Sequence, residues 1–345
     1  YTDARFAPLF SSGRGRPAES PGRLALVTVL QLMENLDDRA TAEQVRARID
    51  WKYLLGLSLA DCGFDYSVLS EFRQRVVEGG LEAELLEALL ERVGGLGLLR
   101  RRGRQRSDAT HVVAAVRELN RLECVGESLR QALNSLAAAA PQWLQERAPQ
   151  EWYERYAQRF ENARLPSTEA ERMVLAETIG WDGWLLLEWC YAHDAPGWLW
   201  EVPAVDILRR VWVQQYYVSA GPEGTQLRWR RRAELPPHAL AIVSPYDVEA
   251  HYATKRTTHW HGYKVHYTET CDVDLPHLIV NVETTPSTTP DSGVTDTIHQ
   301  HLAARDQLPS KHFVDAGYTD AEALVKSQPV YGVELVGPVP EDTSW

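Results

Sequence analysis

A chain of 345 residues, 44% hydrophobic and 24% charged, has the composition of an ordinary globular protein with room for one large core or two to three smaller ones, which excludes the disordered and low-complexity classes. The formal net charge of -12 excludes a surface that is basic throughout, so any nucleic-acid contact has to come from local clusters of arginine and lysine. No apolar run reaches the roughly 18 residues that span a bilayer, and no charged segment, apolar stretch and cleavage site open the chain, so export or membrane anchoring is not expected. The four cysteines, Cys62, Cys124, Cys190 and Cys271, form no CxxC pair, which points to a reducing, cytoplasmic setting without a disulfide frame or zinc knuckle. Two features point to a fragment: the first residue is Tyr1 rather than Met, and the chain stops at Trp345 without a closing helix or polar tail.

Residues 1 to about 95 read as helical. Pro21 with Leu24, Val27, Leu30, Gln31 and Met33 gives an amphipathic helix, and Thr41 with Gln44 supplies a capping start for a second one running to Arg48. Residues 50–57 end a helix at Gly56, and Ser67 caps a helix with Leu69, Phe72 and Val76 on one face. The other side of that helix carries Arg73, Gln74 and Arg75, the types a recognition helix turns toward phosphates and base edges, although a compact helical domain with no DNA role fits the same pattern. Arg100, Arg101, Arg102, Arg104 and Arg106 then crowd the approach to Asp108, and Arg228, Arg230, Arg231 and Arg232 form a second knot; such a run taken singly is usually a solvated face.

From Gln105 to Val116 the pattern is strand-like, and the two-residue period places Asp108, Thr110 and Val112 on one face. Residues 118 to about 215 return to helix, with a stripe of Leu119, Leu122, Leu129, Leu133 and Leu136 followed by Trp143, Trp152 and Tyr156. Trp181, Trp184, Trp189, Tyr191, Trp198 and Trp200 come next; among leucines at helical spacing they read as core, with stacking on an unpaired base, worth about 1 to 3 kcal/mol, as the other use. The last third alternates. Residues 260–268 and 277–283 form a hairpin, 294–305 a helix, 311–315 a buried strand that ends in Asp315 just before Gly317, 321–326 a short helix and 333–336 a strand. The expected fold is α+β with mixed α/β character: a helical N-terminal domain (1–98), the first strand of a mixed sheet (99–117), a mainly helical insertion (118–245) and the rest of the sheet domain (246–345).

On neighbouring central strands Asp108 and Asp315 would stand a few ångströms apart, and two such carboxylates repel unless cations neutralise them. A pair of divalent ions about 3.5 to 4 Å apart is the usual solution for phosphoryl transfer, one activating the nucleophile and the other stabilising the leaving oxygen. Two Asp side chains and a phosphate suit two ions of Mg²⁺ (or Mn²⁺) better than any His or Cys set.

In order along the chain, Gly15-Arg16-Pro17, Leu30-Gln31, Asp50-Trp51-Lys52-Tyr53, Phe72-Arg73-Gln74-Arg75, Ser107-Asp108-Ala109-Thr110, Gly262-Tyr263-Lys264-Val265-His266, Val282-Glu283-Thr284-Thr285-Pro286 and Val314-Asp315-Ala316-Gly317-Tyr318 together resemble the DDE-type transposases of bacterial insertion sequences, in the group with an InsH-like helical N-terminal domain. The resemblance implies an RNase H-like catalytic fold, Asp108 and Asp315 as the first two catalytic and metal-binding acids, and cleavage and strand transfer of DNA. It also implies double-stranded DNA at element ends and target as the partner, homo-oligomers on that DNA, a nucleoid-associated place in the cytoplasm, and Lys264 beside Arg73, Arg75 and the Arg100 to Arg106 cluster as DNA contacts. The family's third acid is a Glu on a helix beyond the last strand seen here; Glu322, Glu334 and Glu341 follow Asp315 too closely, so a catalytically incomplete chain is expected. Three other readings stand beside this one. A truncated copy could bind DNA or a full-length partner without chemistry, another RNase H-like nuclease could use the same acids, and His259-Trp260-His261 matches the His-hydrophobe-His strand of rolling-circle endonucleases but lacks their Tyr in the helix at 294–305.

Overall fold

The computed structural model describes residues 1–10, 19–115, 119–160, 165–221, 224–255 and 257–338; Gly15, Arg16, Pro17, Val116 and Glu341 lie outside them. The chain divides into two compact units.

The first unit comprises Tyr1–Gln105, Thr270–Val280 and Asp306–Ser310. It is built on helices α1 (Asp3–Phe6), α2 (Pro21–Met33), α3 (Asp38–Ala47), α4 (Ile49–Leu54), α5 (Ser67–Glu78) and α6 (Glu84–Gly95). Ser20 caps α2 by accepting Arg23 N–H at 3.2 Å, and Pro21 takes the first helical position, where its missing N–H costs nothing. The start of α3 lies a turn earlier than Thr41 and Gln44 led one to expect. Asp37 is the cap, its carboxylate accepting Ala40 N–H at 2.7 Å, while the Thr41 hydroxyl donates back to Asp37 O at 2.7 Å. Ser67 likewise opens α5 without capping it, and the Asp65 carboxylate accepts the Ser67 N–H at 2.9 Å. Leu24 and Val27 of α2, Val45 of α3, Trp51 of α4 and Leu69, Phe72 and Val76 of α5 bury together, with Phe6 edge-on to Phe72 at 5.7 Å.

The second unit comprises Arg106–Glu269, Asn281–Arg305 and Lys311–Trp345. Its strands are β1 (Arg104–Val113), β2 (Tyr216–Gly221), β3 (Gly224–Trp229), β4 (His251–Lys255), β5 (Thr258–Thr270), β6 (Ile279–Pro286), β7 (Lys311–Phe313) and β8 (Glu334–Val336). Six of them form one mixed sheet in the order β4-β5-β1-β7-β8, with β6 also paired to β5. β4 is antiparallel to β5, His251 facing Gly262, and β7 is parallel to β8, Lys311 facing Glu334. Gly262 is required where β5 passes β1: its φ is 143°, and a Cβ there would stand 2.3 Å from Val112 O. Helices α12 (Thr295–Ala304) and α13 (Ala321–Tyr331) connect the later strands. Helix and mixed sheet together make the fold α+β, as the alternation of patterns led one to expect.

Between β1 and β4 the chain runs through helices α7 (Arg121–Ala139), α8 (Pro141–Gln145), α9 (Gln150–Arg155), α10 (Glu169–Cys190) and α11 (Pro203–Gln215) and the antiparallel hairpin β2–β3, which the helical reading had not foreseen. Asn120 and Glu123 close a reciprocal capping box at the start of α7. Gly180 and Gly183 let α10 receive aromatic rings, since a Cβ on Gly183 would lie 2.0 Å from the Trp212 indole and one on Gly180 2.5 Å from the Tyr216 ring. Trp212 Nε1–H donates to Gly180 O at 2.9 Å and the Tyr216 hydroxyl to Ala176 O at 2.7 Å, which satisfies both buried polar tips. The wholly buried Glu127 carboxylate accepts from Tyr246 hydroxyl, Phe160 N–H and Arg130. Trp152 lies in the core and Trp189 packs against it, as helical spacing predicts, but Trp181, Trp184, Trp198 and Trp200 stay 36–46% exposed.

Candidate active site

Asp108 stands on β1, between β5 and β7. Gln105 and Ser107 point to the buried side, and alternation sends Asp108 to the exposed one. Ser107 explains the central place of β1: its hydroxyl lies 2.6 Å from Thr268 Oγ1 on β5 and 2.8 Å from His312 Nε2 on β7, so one buried side chain ties the strand to both neighbours. The connection continues from His312 Nδ1 to His299 Nε2 on α12 at 2.9 Å. Burial pushes His312 down to about 3, helped by the neighbouring His299, and His299 down to about 4 against a small opposing pull from Asp296, so both imidazoles are neutral.

Asp315 follows β7. Val314 N–H makes the last bond to the parallel strand, to Val336 O at 3.0 Å, and the chain then turns, with Asp315 Oδ1 accepting Gly317 N–H at 2.9 Å. Tyr318 re-enters the core with no exposed surface, its hydroxyl 2.6 Å from His266 Nδ1, and His266 Nε2 lies 3.0 Å from Thr285 Oγ1. Burial raises the Tyr318 phenol above its ordinary value, and the negative charges of Asp291, Asp108 and Asp315 raise it further; burial also lowers His266. The phenol therefore stays protonated and donates to a neutral imidazole, whose Nε2–H is left to donate to Thr285. By strand order Asp108 lies on β1 and Asp315 just past its neighbour β7.

Asp291 is the residue the sequence reading missed. Its Oδ2 lies 3.2 Å, and Asp315 Oδ1 3.1 Å, from the point a Cβ on Gly317 would occupy, so the two carboxylates flank the same glycine. Its Oδ1 accepts from Lys264 Nζ at 2.5 Å, and the ammonium also donates to Thr289 O. Pro290-Asp291 just past the end of β6 is a turn signal, but nothing in the linear order ties it to Asp315. Among the described residues no Lys or Arg pairs with Asp108 or Asp315, and no three His, Cys, Asp or Glu side chains are grouped to hold a metal. Glu322 lies in the first turn of α13, and Glu334 on β8 pairs with Lys311 at 3.0 Å.

Residues 1–75 match the family described as Transposase domain (DUF772). The matched transposase domain ends within α5 and leaves Asp108 and Asp315 outside the match. No curated protein and no solved structure matches the chain. Within residues 1–75 Arg73 donates to Asp38 at 2.7 Å and to Gln31, and the Arg75 guanidinium lies 5.1 Å over the Phe10 ring, so the helix face expected to meet DNA has local partners. Beyond the transposase domain Arg100 pairs with Asp272 and Asp274, Arg101 with Asp306 and Arg106 with Glu269, while Arg102 and Arg104 have partners as well. His259 and His261 of the rival motif flank the Tyr252 ring, at 6.1 and 5.0 Å between centroids, with His259 Nδ1 2.9 Å from the Tyr252 hydroxyl. Among the described residues no helix is long and apolar enough to cross a membrane.

Proposed function

We propose that the chain is a transposase of the DDE type, acting on double-stranded DNA at element ends and target as a homo-oligomer, with Asp108 and Asp315 as paired catalytic carboxylates. The observation that carries the reading is that these two acids, remote in sequence, stand exposed on and just beyond neighbouring strands, in a chain whose first 75 residues match a transposase domain. The order β6, β5, β1, β7, β8 supports an RNase H-like reading of the sheet, with the first acid on the central strand.

Two open carboxylates that, among the described residues, have no cationic side chain against them fit Mg²⁺ or Mn²⁺, hard ions that keep waters and complete their shells with phosphate oxygens. Bound there, two ions would activate an attacking water or 3′-hydroxyl and stabilise the leaving oxygen of an in-line displacement. The chain's own contribution is placement. Ser107 fixes β1 between its neighbours, the Asp315 turn is closed by Gly317 N–H, and Tyr318 with His266 anchors that turn from below. Lys264, only 15% exposed, braces Asp291 and is better suited to holding this loop than to meeting DNA. Arg101 and Arg106 suit phosphate: exposed ion pairs are worth about 0 to 1 kcal/mol, so exchanging an Asp or Glu for a phosphate costs little.

Isothermal titration of the purified chain with Mn²⁺ tests the pair, and D108N or D315N should abolish the binding seen in the wild type. Any nicking of duplex DNA that carries the sequences flanking the coding frame, in the presence of Mg²⁺, should likewise vanish in both variants and survive H259A. Wild-type protein that takes up no Mn²⁺, or nicking that persists without either Asp, would overturn the assignment.

A further inference from the structure

Between α10, α11 and the β2–β3 hairpin lies a cavity of ≈ 520 Å³ walled by Trp184, Tyr191, Trp212, Tyr216, Tyr217 and Leu227. Its rings do not share one fate. Trp212 and Tyr216 pack on each other at 5.2 Å and are buried, whereas Trp184, Tyr191 and Tyr217 remain 36%, 47% and 38% exposed. Among the described residues the Trp184 indole meets no other ring. Helical spacing accounts for a tryptophan in a core, but not for one left facing a cavity.

Charge narrows the occupant. Arg209 and Arg230 also line the cavity, the Arg230 guanidinium 5.6 Å over the Tyr217 ring, and exposed Arg228, Arg231 and Arg232 continue along the hairpin and the segment that leaves it. Asp206 pairs with Arg209 at 2.8 Å, Glu177 stands 3.8 Å from Arg228, and Glu188 is the one acid in the wall. Flat aromatic faces beside guanidinium groups are the recurring surface for unpaired bases, because every base has a π-face and every nucleotide a phosphate. A purely apolar peptide would bring no charge to Arg230, whose guanidinium donates to Val213 O at 3.3 Å and, among the described residues, pairs with no acid.

We propose that this cavity takes an unpaired nucleobase from a single-stranded segment at the DNA end, the base stacking on Trp184 with Tyr191 and Tyr217 beside it and the adjoining phosphate meeting Arg230 and Arg209. The inference rests on DNA as the partner and is independent of the two acids. A cavity of this size holds one base with its sugar and has no need to discriminate sequence, since stacking carries the affinity.

Fluorescence anisotropy on the full chain tests it with two probes: a blunt duplex, and the same duplex with a three-nucleotide 3′ overhang containing 2-aminopurine. The overhang should bind about tenfold more tightly and its 2-aminopurine emission should be quenched. Trp184→Ala should bring the overhang down to the blunt-duplex affinity, abolish the quenching and leave blunt binding unchanged, while Trp184→Phe should keep affinity within about threefold and so exclude misfolding as the cause. Equal affinity for both probes, or an overhang unaffected by Trp184→Ala, overturns the cavity assignment and leaves the DNA reading standing. A chain that binds neither probe removes DNA as partner and this site with it. A dimer in sedimentation velocity that Trp184→Ala dissolves, with overhang binding intact, would give the cavity to a second copy instead.

Discussion

Acid should weaken this fold through two buried imidazoles well before its carboxylates titrate. His312, held down to about 3, and His299, held down to about 4, are neutral in the folded chain, while in the unfolded chain each takes up its proton near the ordinary 6.5. A folded-state value below the unfolded one means that the stability is fully present above pH 6.5 and is lost as the pH falls from there toward the folded values. Each histidine costs about 1.4 kcal/mol per pH unit in that window, so at pH 5 the pair removes roughly 4 kcal/mol, a large part of the 5 to 15 kcal/mol that a folded domain usually holds. Urea unfolding followed by tryptophan fluorescence at pH 7, 6 and 5 measures the loss. The double substitution His299→Gln with His312→Gln should flatten the pH dependence, whatever it does to stability at pH 7. A wild-type curve flat between pH 7 and 5, or a double variant with the wild-type slope, would refute the reasoning.

Gly183→Ala drives a methyl group to 2.0 Å from the Trp212 indole and should cost about 1 to 3 kcal/mol, read as a lowered Tm by circular dichroism. Glu127→Ala strips a buried carboxylate from Arg130, the Tyr246 hydroxyl and the Phe160 N–H, and about 3 to 5 kcal/mol should be lost in denaturant unfolding, with Glu127→Gln milder. Tyr318→Phe leaves His266 Nδ1 without its donor; a stability loss of about 1 to 3 kcal/mol is expected, together with weaker Mn²⁺ binding as the Asp315 turn loosens. Duplex binding should fall steeply with salt, the logarithm of affinity dropping by about 0.9 for each phosphate contact per decade of salt concentration, and a slope near zero in gel shifts would remove the arginines from the interface.

The sheet was legible where single strands carry their own signals. Alternation put Asp108 opposite Gln105 and Ser107, and an apolar run closed by Asp315 and Gly317 marked the end of β7. β2 and β3 were hidden by the leucine-rich helices around them, although Tyr216-Tyr217-Val218 and Leu227-Arg228-Trp229 on either side of Gly221-Pro222-Glu223-Gly224 spell a hairpin. The cap of α3 was misplaced because Asp37 and Thr41 are both capping types, and only geometry shows which oxygen faces the free N–H groups. Partners were the least legible layer. Arg100 finds Asp272, and Lys264 finds Asp291, through a fold that brings together residues no local pattern connects.

The long excursion between β1 and β4 also orders events in time. A chain made from its N-terminus presents β1 early, but the strands that flank it, β5 and β7, emerge only after helices α7 to α11 and the β2–β3 hairpin. The insertion draws its core largely from its own residues and can condense while β1 waits with unpaired backbone on both edges. Closing so distant a pairing is slow, and the strands that carry Asp108 and lead to Asp315 become neighbours only once it is done. On this path the proposed carboxylate pair is among the last features to assemble, so a nascent chain interrupted before β7 would carry a folded insertion with β1 still lacking its β7 neighbour.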